Sequence, residues 1–197
     1  MFVFTPCAAG CGKPAIHGSS LCAAHLVNPI LEGKRIGEYI AGKKIIDDLN
    51  AQGLHFTGAD FSGTCFTGCS FTGAVFQDCI FDSSRMHQVF FDFSEFTGCN
   101  FISVDFRALS FAGTELRGCK FTGSELVSLN FNGARILDSI FSDNDLFNSR
   151  FIETDLFTTL FENCNLKMVN FYKSRQTGVV FKSSNTAEAI FEIEGEL

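Results

Sequence analysis

GADFSGTCFTGCSFTGAVFQDCIF, residues 58–81, carries a phenylalanine at every fifth position: Phe61, Phe66, Phe71, Phe76 and Phe81. A helix repeats every 3.6 residues and a strand every two, so neither element alone produces this spacing. The register runs unbroken from Phe56 to Phe191, and 19 of its 28 positions are Phe. A small or modest side chain sits two residues before most centres, as at Ala59, Thr64, Cys69, Ala74 and Cys79. Two residues after them glycine recurs, at Gly58, Gly63, Gly68, Gly73, Gly98, Gly113, Gly118, Gly123 and Gly133. A large centre and the small residue two before it point to one side of an extended segment. The glycine supplies the positive φ that a type II turn needs at its third position. Each pentad is therefore one short extended piece and one corner.

With Ala59, Asp60 and Phe61 as small, polar and central residues, the chain resembles the pentapeptide-repeat family. That resemblance implies an all-β fold, a right-handed quadrilateral β-helix with four pentads per coil. Met86, Gln176 and Thr186 depart from the pattern at the centre, and Asn144 at the small position.

Four pentads per coil require residues 20 apart to stack, and the sequence can be tested against that period. Phe61, Phe81, Phe101, Phe121, Phe141, Phe161 and Phe181 form one all-Phe column, and Phe71, Phe91, Phe111, Phe131, Phe151, Phe171 and Phe191 another, on opposite faces. The other two columns start as Phe and become Leu or Ile along the chain. At the strand spacing of roughly 4.8 Å, about seven coils make a rod of about 34 Å. Repeat architectures of this kind are stabilised as a sum over nearest-neighbour coils.

Nine cysteines fall into two groups. Cys79, Cys99 and Cys119 are 20 apart at the small inward position, with Cys69 and Cys164 in equivalent places. Small thiols filling space beneath Phe rings account for them; redox or metal chemistry is the alternative. Cys65 lies at an outward position and is the more reactive candidate. The remaining set, Cys7, Cys11, Cys22 and His25, has the spacing C-x3-C-x10-C-x2-H. Three thiolates and an imidazole are a tetrahedral zinc set, and four protein ligands leave no open position for catalysis. Unligated thiols, or His17 in place of His25, are the other readings. The segment resembles the small zinc knuckles found as N-terminal appendages in bacterial and phage proteins. So short a segment needs its metal to fold.

Between these parts, Pro29 and the spacing of Ile36, Ile40, Ile45 and Leu49 predict a capping helix over roughly 30–50. Gly33, Gly37 and Gly42 weaken its regularity. The expected organisation is a zinc module over 1–29, a capping helix and linker over 30–53, and the β-helix over 54–197. Phe191, Ile193 and Leu197 suggest a last strand or a dimer contact.

No catalytic residues are expected. His55 and His87 stand near no nucleophile motif, the glycines mark repeat corners rather than a phosphate loop, and Asp143 with Asp145 reads as a charged turn. MFVFTPC lacks the basic start and apolar run of a secretory signal, and no stretch reaches membrane-span length, so a cytoplasmic protein is expected.

From residue 51 onward 10 Lys and Arg face 18 Asp and Glu, a formal charge of −8, against +1 in the first 50 residues. Asp105, Glu125 and Asp145 should align on one face, and Glu95 with Glu115 on the next. Such a rod repels nucleic acid, and no direct nucleic-acid binding is expected. The family resemblance implies one use for an acidic rod, since its quinolone-resistance members are DNA-shaped ligands of DNA gyrase, a type II topoisomerase. A solvated face that keeps the rod dispersed is the simpler use, and Arg85, Arg107, Arg117, Arg135 and Arg150 interrupt the negative field. Leu137, Ile140, Phe157, Leu160 and Val180 should cluster at one outward corner, as a homodimer or partner interface or as a seat for the C-terminal tail. The function expected is a non-catalytic protein-interaction scaffold, the alternatives being an acidic DNA mimic and metal or redox sensing through the N-terminal cysteines.

Overall fold

The computed structural model describes residues 4–192. Three-residue strands stack in parallel at an offset of 20, so that Phe121 sits between Phe101 and Phe141. One seven-stranded sheet runs from His55–Thr57 to Arg175–Thr177. Two five-stranded sheets run from Ile45–Asp47 to Glu125–Val127 and from Asn100–Ile102 to Val180–Lys182. The fourth side is joined by single bridges from Asn50 through Ser70, Phe90 and on to Ile190. The result is a parallel β-solenoid of about seven turns.

The period of 20 is visible in the hydrogen bonds. Gly58 N donates to Gln77 O at 2.8 Å, and Val75 N donates to Leu54 O at 2.9 Å. Both all-Phe columns stack as expected, with ring centroids 4.3 Å apart for Phe101 and Phe121 and 5.1 Å for Phe111 and Phe131. Rings from the two opposite columns meet edge to face across the core, as Phe131 does with Phe141. The small inward residues also serve the backbone. Ser94 Oγ donates to Phe71 O at 2.8 Å, and Thr154 Oγ1 to Phe131 O at 2.9 Å, which satisfies hydroxyls that burial would otherwise penalise.

From Asp48 to Ser183 the third position of every corner takes positive φ whether or not it is glycine. Thr158 at +49° and Phe93 at +57° occupy the same conformation as Gly118 at +62°. The fold thus imposes a left-handed backbone on side chains that disfavour it, Thr158 most of all because it is β-branched.

The helix is shorter than expected. It spans Pro29–Ile40, opened by Asn28, whose side-chain oxygen accepts from Ile30 N and Leu31 N. Ile45 and Leu49, assigned to the helix from their spacing, belong to the solenoid instead. Ile45–Asp47 is already a strand paired with Cys65–Thr67, and Leu49 is buried in the core. Spacing misled because a pentad register and a helical register share steps of four and five residues over so short a stretch. Gly33 and Gly37 also have a different meaning from irregularity. A Cβ on Gly33 would lie 1.9 Å from His55 O, so the helix presses its bare backbone onto the first strand of the seven-stranded sheet. Ile36 and Ile40 then enter the top of the core beside Phe56. An apolar groove lined by Ile30, Gly37, Ala41 and Phe56 runs along the same contact. Of the residues expected in a last strand or dimer contact, Ile193 and Leu197 lie outside the described residues. Phe191 stacks on Phe171 with centroids 5.1 Å apart and extends that ladder.

Candidate metal centre and binding faces

Two tight turns assemble the N-terminal cluster. Gly10 and Gly12, at φ +71° and +75°, flank Cys11 and fold the chain back so that Cys7 N donates to Lys13 O. Gly18 turns the second arm, where Ile16 N donates to Leu21 O, and this returns Cys22 to the first. A 3-10 turn, Ala23–His25, then directs the imidazole at the thiols.

The ligand atoms of Cys7, Cys11, Cys22 and His25 all lie within 4.8 Å of one another. His25 Nδ1 is 3.5 Å from Cys7 Sγ and 3.4 Å from Cys22 Sγ, and Cys11 Sγ is 3.6 Å from Cys22 Sγ. Around a tetrahedral zinc, bond lengths of roughly 2.3 Å to sulfur and 2.0–2.1 Å to nitrogen place two sulfurs about 3.8 Å apart and a sulfur and a nitrogen about 3.6 Å apart. The donor set and its spacing fit a metal ion of that kind. His25 rather than His17 completes it; the His17 ring lies against Tyr39, centroids 4.8 Å apart.

The cluster favours thiolate unevenly. Cys22 N donates to Cys7 Sγ at 3.4 Å, and this backbone donor holds the Cys7 thiol down at about 6. Burial pushes the Cys22 thiol up. Cys7 and Cys22 are buried, while Cys11 and His25 face solvent.

Spacing could not reveal how the module is attached. Ile16, 1% exposed, enters the same core as Ile36, Ile40 and Ile46. Around it Asn50 Nδ2 donates to Ala15 O at 2.6 Å, His17 N donates to Asn50 O at 2.9 Å, and an Arg35 guanidinium N–H donates to His17 O. Burial and the neighbouring cations Arg35 and Lys43 lower the His17 pKa. Ile16 was the available signal, an apolar side chain among the turn residues of the module.

In the rod, Cys79, Cys99 and Cys119 are fully buried, and each donates to a carbonyl one coil away, Cys79 to Phe56 O at 3.6 Å. Thiol-to-thiol hydrogen bonding and burial push Cys99 up to about 12, and burial does the same to Cys69. Such thiols are poor nucleophiles. Cys65 is half-buried at an outward position.

Asp105, Glu125 and Asp145 stack in one column, and Glu95 with Glu115 in another. Arginines interleave with both. Arg107 pairs with Asp105 at 2.7 Å and with Glu125, and Glu115 receives Arg117 at 2.8 Å and Arg135 at 3.0 Å. Further along, Arg175 pairs with Asp155 and Lys182 with Glu162. At the neighbouring corner Leu137 stacks on Phe157, and Leu160 lies between Ile140 and Val180. Phe157 is 48% exposed and Val180 52%. Among the described residues no helix is long and apolar enough to cross a membrane.

Two family models match the chain: pentapeptide repeats over residues 55–92 and 88–123, and a pentapeptide repeat region over residues 114–191. No curated protein matches it significantly. Among solved structures, a trypsin-treated form of QnrB1, a plasmid-mediated fluoroquinolone resistance protein, is 20% identical. That match covers 77% of this chain and 73% of that one, with a TM-score of 0.48. HetL, a pentapeptide repeat protein involved in heterocyst differentiation regulation from the cyanobacterium Nostoc, is 16% identical over 81% of this chain and 96% of its own, with a TM-score of 0.44.

Proposed function

The chain belongs to the pentapeptide-repeat family, and from that premise we propose that it is a non-catalytic scaffold whose apolar corner docks a protein partner. The carrying observation is the corner itself. Leu137, Ile140, Phe157, Leu160 and Val180 come from two adjacent sheets and line one edge of the later coils, with Phe157 and Val180 about half exposed. A contiguous apolar edge of this kind is a cost in water unless a partner covers it. A second copy of the chain is the first partner to test. The N-terminal module contributes a structural zinc held by Cys7, Cys11, Cys22 and His25, which fastens the cap and leaves no open coordination position.

The ion pairs weigh against an acidic DNA mimic that binds a type II topoisomerase. Asp105, Glu125 and Glu115 each engage arginine, so the columns present alternating charge rather than a line of free carboxylates. A gyrase supercoiling titration with the zinc-loaded chain is expected to show no inhibition, and inhibition would promote the mimic over the scaffold. For the corner, the double variant Phe157→Ser, Leu160→Ser should keep its circular dichroism and lose self-association in analytical ultracentrifugation. A mass unchanged from wild type across concentration removes the second copy as the occupant.

A further inference from the structure

We infer that Cys11 and Cys22 form a redox modification site, at which hydrogen peroxide joins the two thiols in a disulfide and thereby dismantles the metal centre. The inference rests on the zinc reading of the cluster. Among the described residues this is where access, freedom of movement and a thiol partner coincide. Cys11 is exposed, and its sulfur lies 3.6 Å from Cys22 Sγ. A disulfide needs about 2.05 Å. The loop can supply that closure: Gly10 and Gly12 on either side of Cys11 have positive φ and nothing within 4 Å of where a Cβ would stand. Cys7 is placed otherwise, buried beneath the Cys22 amide and against His25.

The rod's thiols lack this combination. Cys69, Cys79, Cys99, Cys119 and Cys164 are buried, and each donates to a backbone carbonyl. Cys65 is accessible, but the residues stacked above and below it are Ile45 and Arg85, so it has no neighbouring thiol along its column.

The chemistry balances with peroxide as the oxidant. The Cys11 thiolate attacks one peroxide oxygen, the O–O bond breaks, and the departing hydroxide takes a proton to become water. The Cys22 thiolate then attacks the sulfur of the resulting Cys11 sulfenic acid. The S–S bond forms, and the second hydroxide leaves and is protonated. Two electrons pass from sulfur to peroxide, and the metal keeps its charge. Cys7 and His25 remain, half of a tetrahedral set, and zinc is released.

Release has a structural consequence at the cap. Ala23 and Leu26 pack against the first coil, and a Cβ on Gly53 there would lie 3.1 Å from that of Ala23. Their turn is fixed by Cys22 and His25, so it loosens when the metal leaves. Ile16 stays within the loop that the disulfide closes. Oxidation therefore loosens the 3-10 turn and the Cys7 hairpin and leaves the solenoid intact.

The test uses the full zinc-loaded chain. Zinc content is measured first by native mass spectrometry, peroxide is added, released zinc is followed with a chromogenic chelator, and thiols are mapped by digestion. The expected result is one zinc released per chain, a single linked peptide joining Cys11 to Cys22, and full reversal by dithiothreitol with added zinc. Cys65→Ser should behave as wild type, whereas Cys11→Ser should give no linked peptide. Zinc retained while Cys11 and Cys22 stay reduced overturns the inference, as does a linkage that joins any other pair. A chain that holds no zinc before peroxide is added fails the metal reading instead. In that case the Cys11–Cys22 link still supports the modification site, and its absence overturns it.

Discussion

Phe121 and Ile16 are both buried apolar side chains, yet they are secured in different ways. Phe121 lies between Phe101 and Phe141, with centroids 4.3 Å and 4.7 Å away, and the same contact recurs from coil to coil. Ile16 enters the core from a module whose other attachments, among them the hydrogen bonds to Asn50 and Arg35, have no counterpart in any other coil among the described residues. The rod is redundant, so its stability accumulates along its length, whereas the cap depends on a few singular contacts and, on the zinc proposal, on a bound ion. The cap is therefore the region where one chemical event changes the structure, and the rod is the frame that survives it.

Removal of a ring from the middle of the rod should have the largest effect. Phe121→Ala should cost about 3–5 kcal/mol, because it leaves a cavity and strips stacking from both neighbours. Phe191→Ala, at a ring that is 36% exposed and among the described residues stacks on one ring of its column, Phe171, should cost much less. Urea unfolding followed by far-ultraviolet circular dichroism measures both. Equal losses at the two positions would mean that the rod unfolds as one block rather than coil by coil.

The same test at the cap uses Gly33→Ala. A methyl there would stand 1.9 Å from His55 O, so the helix must lift off the first strand. Overpacking of this kind costs about 1–3 kcal/mol. The change should raise amide exchange in Pro29–Ile40 and at His55–Thr57, while strands from Glu95–Thr97 onward keep wild-type protection. Gly37→Ala is the control, since a Cβ there meets Ala59 Cβ at an ordinary 3.8 Å. Protection lost throughout the rod would show that the cap and the solenoid unfold together.

The legibility of the sequence follows the same division. Repetition made the rod readable, because one register over 28 pentads averages out local exceptions such as Met86, which still packs in the core. The Cys7, Cys11, Cys22 and His25 cluster was readable for a different reason: soft donors at short spacings have few other uses. The cap's fit was not readable. Gly33 looks like a helix breaker until His55 O is placed against it, and Ile45 fits a helical spacing as well as a pentad one. The arginines were visible as interruptions of the acidic columns, but their pairing with Asp105, Glu115 and Glu125 depends on side-chain reach across neighbouring coils.

The smallest effect concerns the corners, where the rod's repetition works against some of its own residues. Thr158 holds φ +49° on an exposed corner, stacked beside Gly178 at +66°. Its backbone N–H still donates to Thr177 O at 2.8 Å, so the ladder fixes the conformation and the β-branched side chain bears the strain. That strain is about 1–2 kcal/mol for an L-residue in the left-handed region. Glycine relieves it but gives back about 0.4–1 kcal/mol through the more flexible unfolded chain. Thr158→Gly should therefore stabilise the rod by about 0.5–1 kcal/mol, a rise in Tm of about 1–4 °C for a chain of this size. Gly118→Ala, at the equivalent corner with nothing within 4 Å of its Cβ position, should move Tm the other way by a similar amount, since its only penalty is the left-handed φ. A fall in Tm for Thr158→Gly would mean that its side chain contributes a contact larger than the strain, and the corners could then no longer be treated as interchangeable.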